Sequence, residues 1–379
     1  MTVIVHPLVL GQGKVKVLIK DSIDIENTVT QAGSRALEDS PQASQNAEVV
    51  ERILQQDGLI LGKTNLHELA FGITGINHYT GTPINPLYPD LIPGGSSSGS
   101  AAAVAAGLCD FAVGTDTGGS IRMPAACCGV FGLKPTFSRI SRKGVLPAHS
   151  SLDCVGPLAA DMPQLIQAMH MIDPLFDLTK AVDIDFDHLK VMLLDVVAEQ
   201  QIWQSIDAFL KRAGVQEYSS TAPRYIGEAF DAAMHIINYE NYQAFSHLIS
   251  SGKLGADVEQ RLKNAVNSSE QHRDQAQELG RLFCQEIDQL LEQADVLILP
   301  TLPQQVPTLS QVEQAHNLLQ LTALVRPFNL SGHPALSLPL QTEQGQPVGL
   351  QIIAKHGQDE KLCLIAKYLV EQANKPAEQ

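Results

Sequence analysis

The 379-residue sequence predicts an α/β fold in which a sheet is flanked by helices. Three features support this prediction. Short strand patterns alternate with helical patterns in the first third of the chain, a mostly helical stretch covers roughly residues 161–292, and strand patterns resume after it. The sequence has no internal repeat and no clear linker. The simplest arrangement is therefore one domain over residues 1–379 that carries the helical stretch as an excursion.

The N-terminal elements follow the order strand, helix, strand, loop, helix, strand, which is the pattern of a doubly wound α/β sheet. Residues 14–19 predict a strand that ends at Lys20. Apolar residues from Ala47 to Leu54 keep helical spacing, and Gly58 is predicted to stop that helix. The remaining elements predicted here are a short buried strand at 59–61, an alanine-rich helix at 100–106 and a strand at 111–114.

The second half of the chain is predicted to begin with long polar helices. Apolar residues from Ala276 to Leu290 recur every three or four positions, as on a helix with one buried face. Residues 189–194 interrupt this stretch as a predicted strand. The elements predicted after it are strands at 296–299, 335–338 and 348–353 and a closing helix at 360–371.

Charge and cysteine content limit the classes of function. The net charge of -15, with no long basic run, indicates that neither nucleic acid nor an anionic membrane binds directly. The six cysteines form no CxxC pair and have no histidine-rich companion spacing, so a structural zinc site is not expected. The adjacent Cys127 and Cys128 indicate reduced thiols. Together with the lack of a signal-peptide pattern or a long apolar span, they predict a cytoplasmic protein.

Two glycine-serine segments, at 94–100 and 114–122, contain the side chains of greatest chemical interest. The first reads GGSSSGS and runs directly into the alanine-rich helix, which a flexible linker does not do. It also lacks the lysine that ends a phosphate-binding loop. A serine hydroxyl becomes a good nucleophile only when a base takes its proton. A buried lysine such as Lys20 can be that base because desolvation lowers its pKa.

The second segment, GTDTGGSIR, offers donors for a developing oxyanion. Successive backbone N–H groups in such a glycine-rich row can face one negative oxygen. The predicted donors are Thr117, Gly118, Gly119 and Ser120. Asp116 and Arg122 flank this row, and their pairing would fix the loop in a structural role.

Together these segments resemble the amidase signature family, whose hallmark is a serine–cis-serine–lysine triad. The core motif of that family is matched from Gly94 to Pro124. Further blocks that resemble it are GKTNLHE at 62–68, GLKPT at 132–136, the stretch 326–334 that begins RPFN, and GLQ at 349–351. The resemblance covers nearly the whole chain. It implies a mixed, twisted central sheet flanked by helices, with the helical excursion over the active site.

The chain departs from the family pattern at two points. Ser98 stands where the family usually has a second glycine, and we expect this change to be tolerated if the position does not need a positive φ. Only 19 residues precede Lys20, whereas family members generally carry a longer helical segment that often takes part in dimer contacts.

The resemblance also implies a role for individual residues. Ser120 is the expected nucleophile, Ser96 the bridging serine after a cis Gly95–Ser96 peptide, and Lys20 the base. The residues expected to line the acyl pocket are Phe71, Gly72, Ile73 and Thr74. The two apolar side chains among them favour a small to medium apolar acyl group.

The expected function is hydrolysis of a carboxylic-acid amide to an acid and ammonia or an amine, through an acyl-enzyme and without a metal or cofactor. The expected partner is a small amide, and a homodimer is one assembly that the resemblance allows. An alternative function is that of the A-type subunit of a glutamyl- or aspartyl-tRNA amidotransferase, which acts as a glutaminase in a complex. A non-catalytic descendant is disfavoured because Lys20, Ser96 and Ser120 are all present.

Other candidate groups fit less well. His67 is expected to be a packed or capping residue, since the sequence has no GxSxG elbow for a serine–histidine triad. Cys127 and Cys128 have small apolar neighbours, so we expect buried, unreactive thiols. Asp21 is expected to be structural, because a carboxylate facing the Lys20 amine would raise its pKa.

Overall fold

The computed structural model describes residues 2–181, 184–314 and 318–375 and arranges its strands in one mixed sheet of 11 strands. The strands are β1 (Ile4–Leu10), β2 (Val15–Lys20), β3 (Gly58–Thr64), β4 (Phe111–Asp116), β5 (Phe131–Lys134), β6 (Cys154–Ala159), β7 (Val191–Leu194), β8 (Ser219–Thr221), β9 (Val296–Pro300), β10 (Ala335–Gln341) and β11 (Pro347–Ile353). Their order across the sheet is β1-β3-β2-β4-β6-β5-β10-β11-β9-β7-β8. Helices cover both faces, which confirms the predicted α/β fold with a mixed sheet.

The prediction of a doubly wound pattern was only partly correct. β3, β2 and β4 are parallel neighbours, as are β8, β7 and β9. Antiparallel pairs connect these two groups through β6, β5, β10 and β11, and β1 adds an antiparallel edge to β3. The sequence analysis missed β1, β5, β6 and β8. β6 is hard to recognise because Gly156 and Pro157, two residues that usually disfavour strands, lie inside it.

Alternate side chains of each strand enter two different cores. In β9, Val296 and Ile298 pack on one face of the sheet, and Leu297 and Leu299 pack on the other. The helices are α1 (Glu48–Gln55), α2 (Ser98–Ala105), α3 (Arg122–Cys128), α4 (Met162–Ile172), α5 (Gln200–Arg212), α6 (Ile226–Phe245), α7 (Ala256–Ala265), α8 (Glu270–Leu291), α9 (Leu309–Gln314), α10 (Pro327–Leu330) and α11 (Asp359–Ala373). α1, α4, α5 and α11 cover the first face, and α2, α3 and α8 cover the second.

The predicted helical excursion is a composite of two parts. α4 and α5 pack against the sheet, and β7 and β8 extend its edge, so this part belongs to the central layers. α6, α7 and α8 form the other part. Their apolar side chains pack with Leu66, Leu69 and Phe71 from the loop that follows β3. Only α6 to α8 therefore match the expectation of a helical cover near the site.

The boundaries of most predicted elements agree with the structure, but Gly58 does not stop the first helix. α1 ends at Gln55, Asp57 takes a left-handed φ of 63°, and Gly58 begins β3. A Cβ on Gly58 would lie 2.4 Å from Ile53 Cγ2. The glycine is therefore needed because the start of the strand passes close to the helix, and not because it caps the helix.

The cysteines agree with the expected reduced state. All six lie in the described ranges and carry free thiols, and Cys284 is the one that is not buried. Within residues 2–181, 184–314 and 318–375, no helix has both the length and the apolar composition that crossing a bilayer requires.

Candidate active site

The candidate site lies at the carboxyl ends of three neighbouring strands. β2 ends at Lys20, β3 at Thr64 and β4 at Asp116, and both outer strands run parallel to β2. Parallel neighbours place their carboxyl ends at the same edge of a sheet, where the following loops meet. Lys20 and the two glycine-serine segments are therefore brought together although they are far apart in the sequence.

The Lys20 amine is fully buried and close to three oxygen atoms. Nζ lies 2.7 Å from Ser96 Oγ, 2.8 Å from Thr115 Oγ1 and 3.4 Å from the Thr115 carbonyl oxygen. A neutral amine has two N–H donors and one lone pair. The two Thr115 oxygens can accept the donors, and the lone pair can accept the Ser96 O–H. The surroundings therefore suit an uncharged lysine bonded to a serine hydroxyl.

Burial lowers the pKa of Lys20 from its ordinary value to about 7, because desolvation disfavours the charged amine. The nearby carboxylates of Asp153 and Asp116 act in the opposite direction. Asp153 is bonded instead to Arg142 at 2.8 Å and to the Thr117 hydroxyl at 2.9 Å. No carboxylate in the described residues is bonded to the Lys20 amine. The effect of burial on its pKa therefore outweighs that of the two carboxylates.

The first glycine-serine segment is fixed by hydrogen bonds to the second. The Gly95–Ser96 peptide is cis, as the family resemblance implied. The Ser97 N–H donates to the Ser120 carbonyl oxygen at 3.1 Å, and Ser97 Oγ donates to the Thr115 carbonyl oxygen at 3.2 Å. These bonds hold Ser96 next to Lys20 and connect the two loops directly.

Small residues in this segment are required by close backbone contacts. A Cβ on Gly95 would lie 2.8 Å from the Gly75 nitrogen, and Gly94 has a φ of 71°. Ser98 begins α2 and is not among the residues with positive φ. The structure therefore explains why serine is tolerated where the family usually has glycine.

Ser120 borders a pocket but is not bonded to Ser96. It is 8% exposed and lines the cavity beneath α6. Among the described residues its hydroxyl forms no hydrogen bond, so the expected contact with Ser96 is not made. Rotation about one bond moves Oγ between staggered positions, and catalytic hydrogen bonds often tighten only when substrate binds.

A fully buried ion pair supports the second glycine-serine segment. Arg122 donates to both oxygens of Asp116, at 2.9 and 3.0 Å. Arg122 also donates to Gln351 Oε1 at 2.7 Å, to Asn329 Oδ1 at 2.6 Å and to the Val325 carbonyl oxygen at 2.8 Å. Burial alone would raise the pKa of Asp116, but the charge and hydrogen bonds of Arg122 hold it well below its usual range. The geometry supports the structural role predicted for this pair.

The loop between Asp116 and Arg122 offers three free backbone N–H donors rather than the four that were predicted. The Gly119 N–H donates to Asp116 Oδ1 at 2.8 Å, so it is engaged in holding the loop and is not available as predicted. The N–H groups of Thr117, Gly118 and Ser120 donate to no partner in the described part of the chain. Gly119 has a φ of 109°, and a Cβ there would lie 2.3 Å from Val325 Cγ2.

The pocket in front of Ser120 is lined by three of the four residues predicted to bind the acyl group. Phe71, Gly72 and Ile73 are at its wall, together with Ile237 of α6. Thr74 is buried elsewhere, where its hydroxyl lies 3.4 Å from His67 Nδ1 and accepts the Ile76 N–H at 3.2 Å. Thr74 therefore does not line the pocket, contrary to the prediction.

Two arginines in the same pocket were missed by the sequence analysis. Arg326 is 4% exposed, and its Nε and Nη1 atoms are buried without a hydrogen-bond partner in the described residues. Its guanidinium lies 5.0 Å from the centre of the Phe230 ring. Arg261 of α7 also lines the pocket, 6.0 Å from the ring centre of Phe71. Burial, and then the charge of Arg261, lower the pKa of Arg326 to about 9.

These arginines give the pocket a positive character that Phe71 and Ile73 do not suggest. Glu240, the carboxylate in the lining, accepts hydrogen bonds from Ser150 and Ser151. Arg326 begins the RPFN block, which the sequence analysis recognised without giving a role to the arginine. Arg261 lies in no recognised block, so no signal in the sequence pointed to it.

The other candidate groups are not arranged for catalysis. His67 Nε2 is bonded to Asp257 Oδ2 at 2.9 Å and packs beneath Gly72, where a Cβ would lie 1.9 Å from the ring. Burial raises the pKa of both Cys127 and Cys128, which agrees with unreactive thiols. Asp21 forms an ion pair with Lys63 at 2.7 Å rather than with Lys20.

The chain is similar to known proteins over most of its length. The family model described as Amidase matches residues 14–183 and 193–363. The A-type subunit of the glutamyl-tRNA(Gln) amidotransferase from Methanothermobacter thermautotrophicus is 34% identical over 367 residues, an alignment that covers 90% of this chain and 81% of that protein.

Solved structures show the same likeness. One described as an amidase superposes with a TM-score of 0.86 at 27% identity and covers 94% of this chain and 84% of its own. The A-type subunit of the glutamyl-tRNA(Gln) amidotransferase from Thermotoga maritima superposes with a TM-score of 0.80, also at 27% identity, and covers 100% of this chain and 89% of its own.

The buried ion pair gives a first prediction. Asp116→Asn leaves the Arg122 charge buried without its counter-charge, so we expect the free energy of unfolding to fall by about 3–5 kcal/mol. Urea unfolding followed by circular dichroism measures this. The control is Asp207→Asn, which removes an exposed carboxylate paired with Lys211 and should change stability little. Equal effects of the two substitutions would contradict a supporting role for Asp116.

Proposed function

The chain belongs to the amidase family, and we propose that it hydrolyses a carboxylic-acid amide to an acid and ammonia or an amine through an acyl-enzyme on Ser120. The observation that carries this proposal is the 2.7 Å contact between Lys20 Nζ and Ser96 Oγ, both of which are fully buried. A neutral Lys20 amine can take the proton of Ser96, and Ser96 can in turn take the proton of the nucleophile Ser120.

The proposed reaction begins with attack by Ser120 Oγ on the amide carbonyl carbon. As the new C–O bond forms, the Ser120 proton passes to Ser96 Oγ, and the Ser96 proton passes to the Lys20 amine. The reverse transfer protonates the departing nitrogen when the C–N bond breaks. Water then attacks the acyl-enzyme by the same route and releases the acid. The side chains of this relay move every proton, so the reaction as proposed needs no cofactor.

The tetrahedral intermediate carries a negative oxygen that needs hydrogen-bond donors. We propose the free N–H groups of Thr117, Gly118 and Ser120 for this role. Gly119 contributes indirectly, because its N–H bond to Asp116 sets the direction of its neighbours. The Asp116–Arg122 pair positions these donors before substrate binds.

The two arginines suggest a substrate whose acyl part carries a negative group, such as a carboxylate. A buried guanidinium with unbonded N–H groups is costly unless a partner binds it, and guanidinium geometry matches a carboxylate well. Arg326 lies beside Gly118, where a Cβ would be 3.1 Å from Nε, so the anionic group would bind close to the oxyanion donors. The anionic acyl group proposed here differs from the apolar acyl group that Phe71 and Ile73 led us to expect.

A second candidate function is that of a glutaminase subunit in an amidotransferase complex. It is favoured by the likeness to the A-type subunits of amidotransferases and by the arginines, since glutamine is an amide that carries a carboxylate. Turnover of simple anionic amides by the isolated chain supports the hydrolase. Turnover of glutamine only after a partner protein is added supports the amidotransferase function.

The nucleophile is tested by labelling. Ser120→Ala should abolish both reaction with a fluorophosphonate probe and amide hydrolysis, whereas Ser96→Ala should leave weak activity because the oxyanion donors remain. Ser98→Ala is the matched control: it lies in the same segment, and its buried hydroxyl has no partner in the described residues, so its activity should stay near that of the wild type. Mass spectrometry locates the label. A label on Cys127 or Cys128 would overturn the assignment.

The base is tested by the pH dependence of kcat/KM. The neutral form of Lys20 is the active one, so kcat/KM should rise as the pH increases through about 7 and then level off. Asp153→Asn removes the carboxylate that most strongly raises this pKa. The rising limb should therefore move to lower pH, whatever happens to the maximum rate, and Asp207→Asn should leave it in place. A limb that does not move with Asp153→Asn would indicate a different base.

The substrate class is tested at Arg326. Arg326→Met should lower kcat/KM for amides that carry a carboxylate by about ten- to a hundredfold, because a charged hydrogen bond is lost, and should affect neutral amides much less. Arg224→Met is the control, since Arg224 lies at the same 5.0 Å from an aromatic ring, Tyr225, but at an exposed position. Equal losses for both substrate classes would rule out recognition of an anionic group.

A further inference from the structure

Three side chains that can bind metal ions, Cys284, His333 and His356, meet near the C-terminal end of α8, with Asp288 beside them. Cys284 and Asp288 lie one turn apart on that helix. His333 precedes β10, and His356 follows β11. The Cys284 sulfur and one nitrogen of each histidine lie within 4.8 Å of one another. Three separate segments of the chain thus bring two nitrogen donors and one sulfur donor together, and the Asp288 carboxylate lies next to them.

The spacing of these donors suits a small coordination sphere. Asp288 Oδ1 lies 3.1 Å from His333 Nε2 and 3.7 Å from His356 Nδ1, and Asp288 Oδ2 lies 3.6 Å from Cys284 Sγ. Metal bonds of 2.0–2.3 Å in a tetrahedral site place neighbouring donors roughly 3.3–3.8 Å apart. Small rotations of the side chains that are not buried, Cys284, Asp288 and His356, would complete such a site.

Neighbouring groups orient both imidazole rings. His356 Nε2 lies 2.8 Å from the Ser331 carbonyl oxygen, which can only accept, so Nε2 carries the proton and Nδ1 presents its lone pair toward Asp288. His333 Nδ1 lies 3.0 Å from Ser331 Oγ, which can accept a hydrogen bond from Nδ1–H, so that the Nε2 lone pair is available to a cation. Histidine ligands of metals are usually fixed in this way by a bond from the second ring nitrogen.

The two imidazole rings lie close together, with 3.9 Å between their centres. A divalent ion displaces the proton of a thiol that binds it, so Cys284 would bind the ion as a thiolate.

We propose that Cys284, Asp288, His333 and His356 form a binding site for a divalent transition-metal ion of the Zn²⁺ type. Two imidazole nitrogens, one thiolate and one carboxylate are typical zinc ligands, whereas Mg²⁺ and Ca²⁺ require oxygen donors. The ion would fasten α8 to the segment between α10 and β10. None of the four residues lines the pocket in front of Ser120, so the ion would stabilise the fold rather than act in the amidase reaction.

The test uses the full chain after treatment with a chelator. Titration with Zn²⁺ followed by calorimetry should show one ion per chain, and the melting temperature should rise with Zn²⁺ concentration. Co²⁺ should give tetrahedral d–d absorption together with a thiolate-to-cobalt band. Cys284→Ser and His356→Ala change partly exposed side chains and should fold. Each should weaken Zn²⁺ binding by at least about tenfold, and Cys284→Ser should remove the thiolate band.

His272→Ala is the matched control. His272 lies on the same helix beside another histidine, His235, with 5.8 Å between ring centres, and should not contribute to the site. Binding that survives Cys284→Ser and His356→Ala, or that His272→Ala weakens equally, would overturn the proposal. Failure of the wild-type chain to bind Zn²⁺ with one-to-one stoichiometry would do the same.

Discussion

The buried pair of Asp116 and Arg122 is the constraint on which the site depends. Both side chains are fully buried, and such burial is tolerated only when every charge and every hydrogen-bonding atom is matched. The guanidinium meets this requirement by bonding to three further residues: Val325 just before α10, Asn329 of α10 and Gln351 of β11. The loop that carries Ser120 is therefore joined to α10 and β11. The backbone N–H groups proposed as oxyanion donors are thus held in position before substrate binds. Because the Gly119 N–H already donates to Asp116, it is not free to donate to an oxyanion.

A second constraint acts on Lys20, which must lie close to carboxylates without bonding to them. Asp116 and Asp153 both raise its pKa, and burial offsets them. Each carboxylate is held by an arginine, Arg122 or Arg142, which reduces its effect on the amine. The site thus contains two kinds of buried titratable group: charged pairs that fix the loops, and the Lys20 amine, which is not paired with a carboxylate. A net charge of -15 does not by itself prevent a depressed lysine pKa, because local pairing decides it.

The sequence predicted those parts of the site that lie in contiguous motifs. Ser96, Ser120 and the Asp116–Arg122 pair lie in two short segments whose composition has a physical reason, so they could be recognised. Arg261 could not, because only the packing of α7 over the pocket brings it there. The metal ligands are dispersed in the same way, and a search for CxxC spacing cannot find donors from three segments. β5 was missed because it has only four residues, and β6 because Gly156 and Pro157 lie inside it.

Three lysines are buried among the residues that the structure describes, and their surroundings show why Lys20 suits a base better than the other two. Lys63 forms an ion pair with Asp21 at 2.7 Å, so its amine already has a carboxylate partner. Lys134 is desolvated, which lowers its pKa, but its amine donates to the Pro135 carbonyl oxygen and contacts no hydroxyl group in the described residues. Lys20 combines a depressed pKa with a bonded serine hydroxyl. Burial alone therefore does not make a catalytic lysine. The decisive feature of Lys20 is the Ser96 hydroxyl, which lies within hydrogen-bond distance of the amine and belongs to the loop beside Ser120.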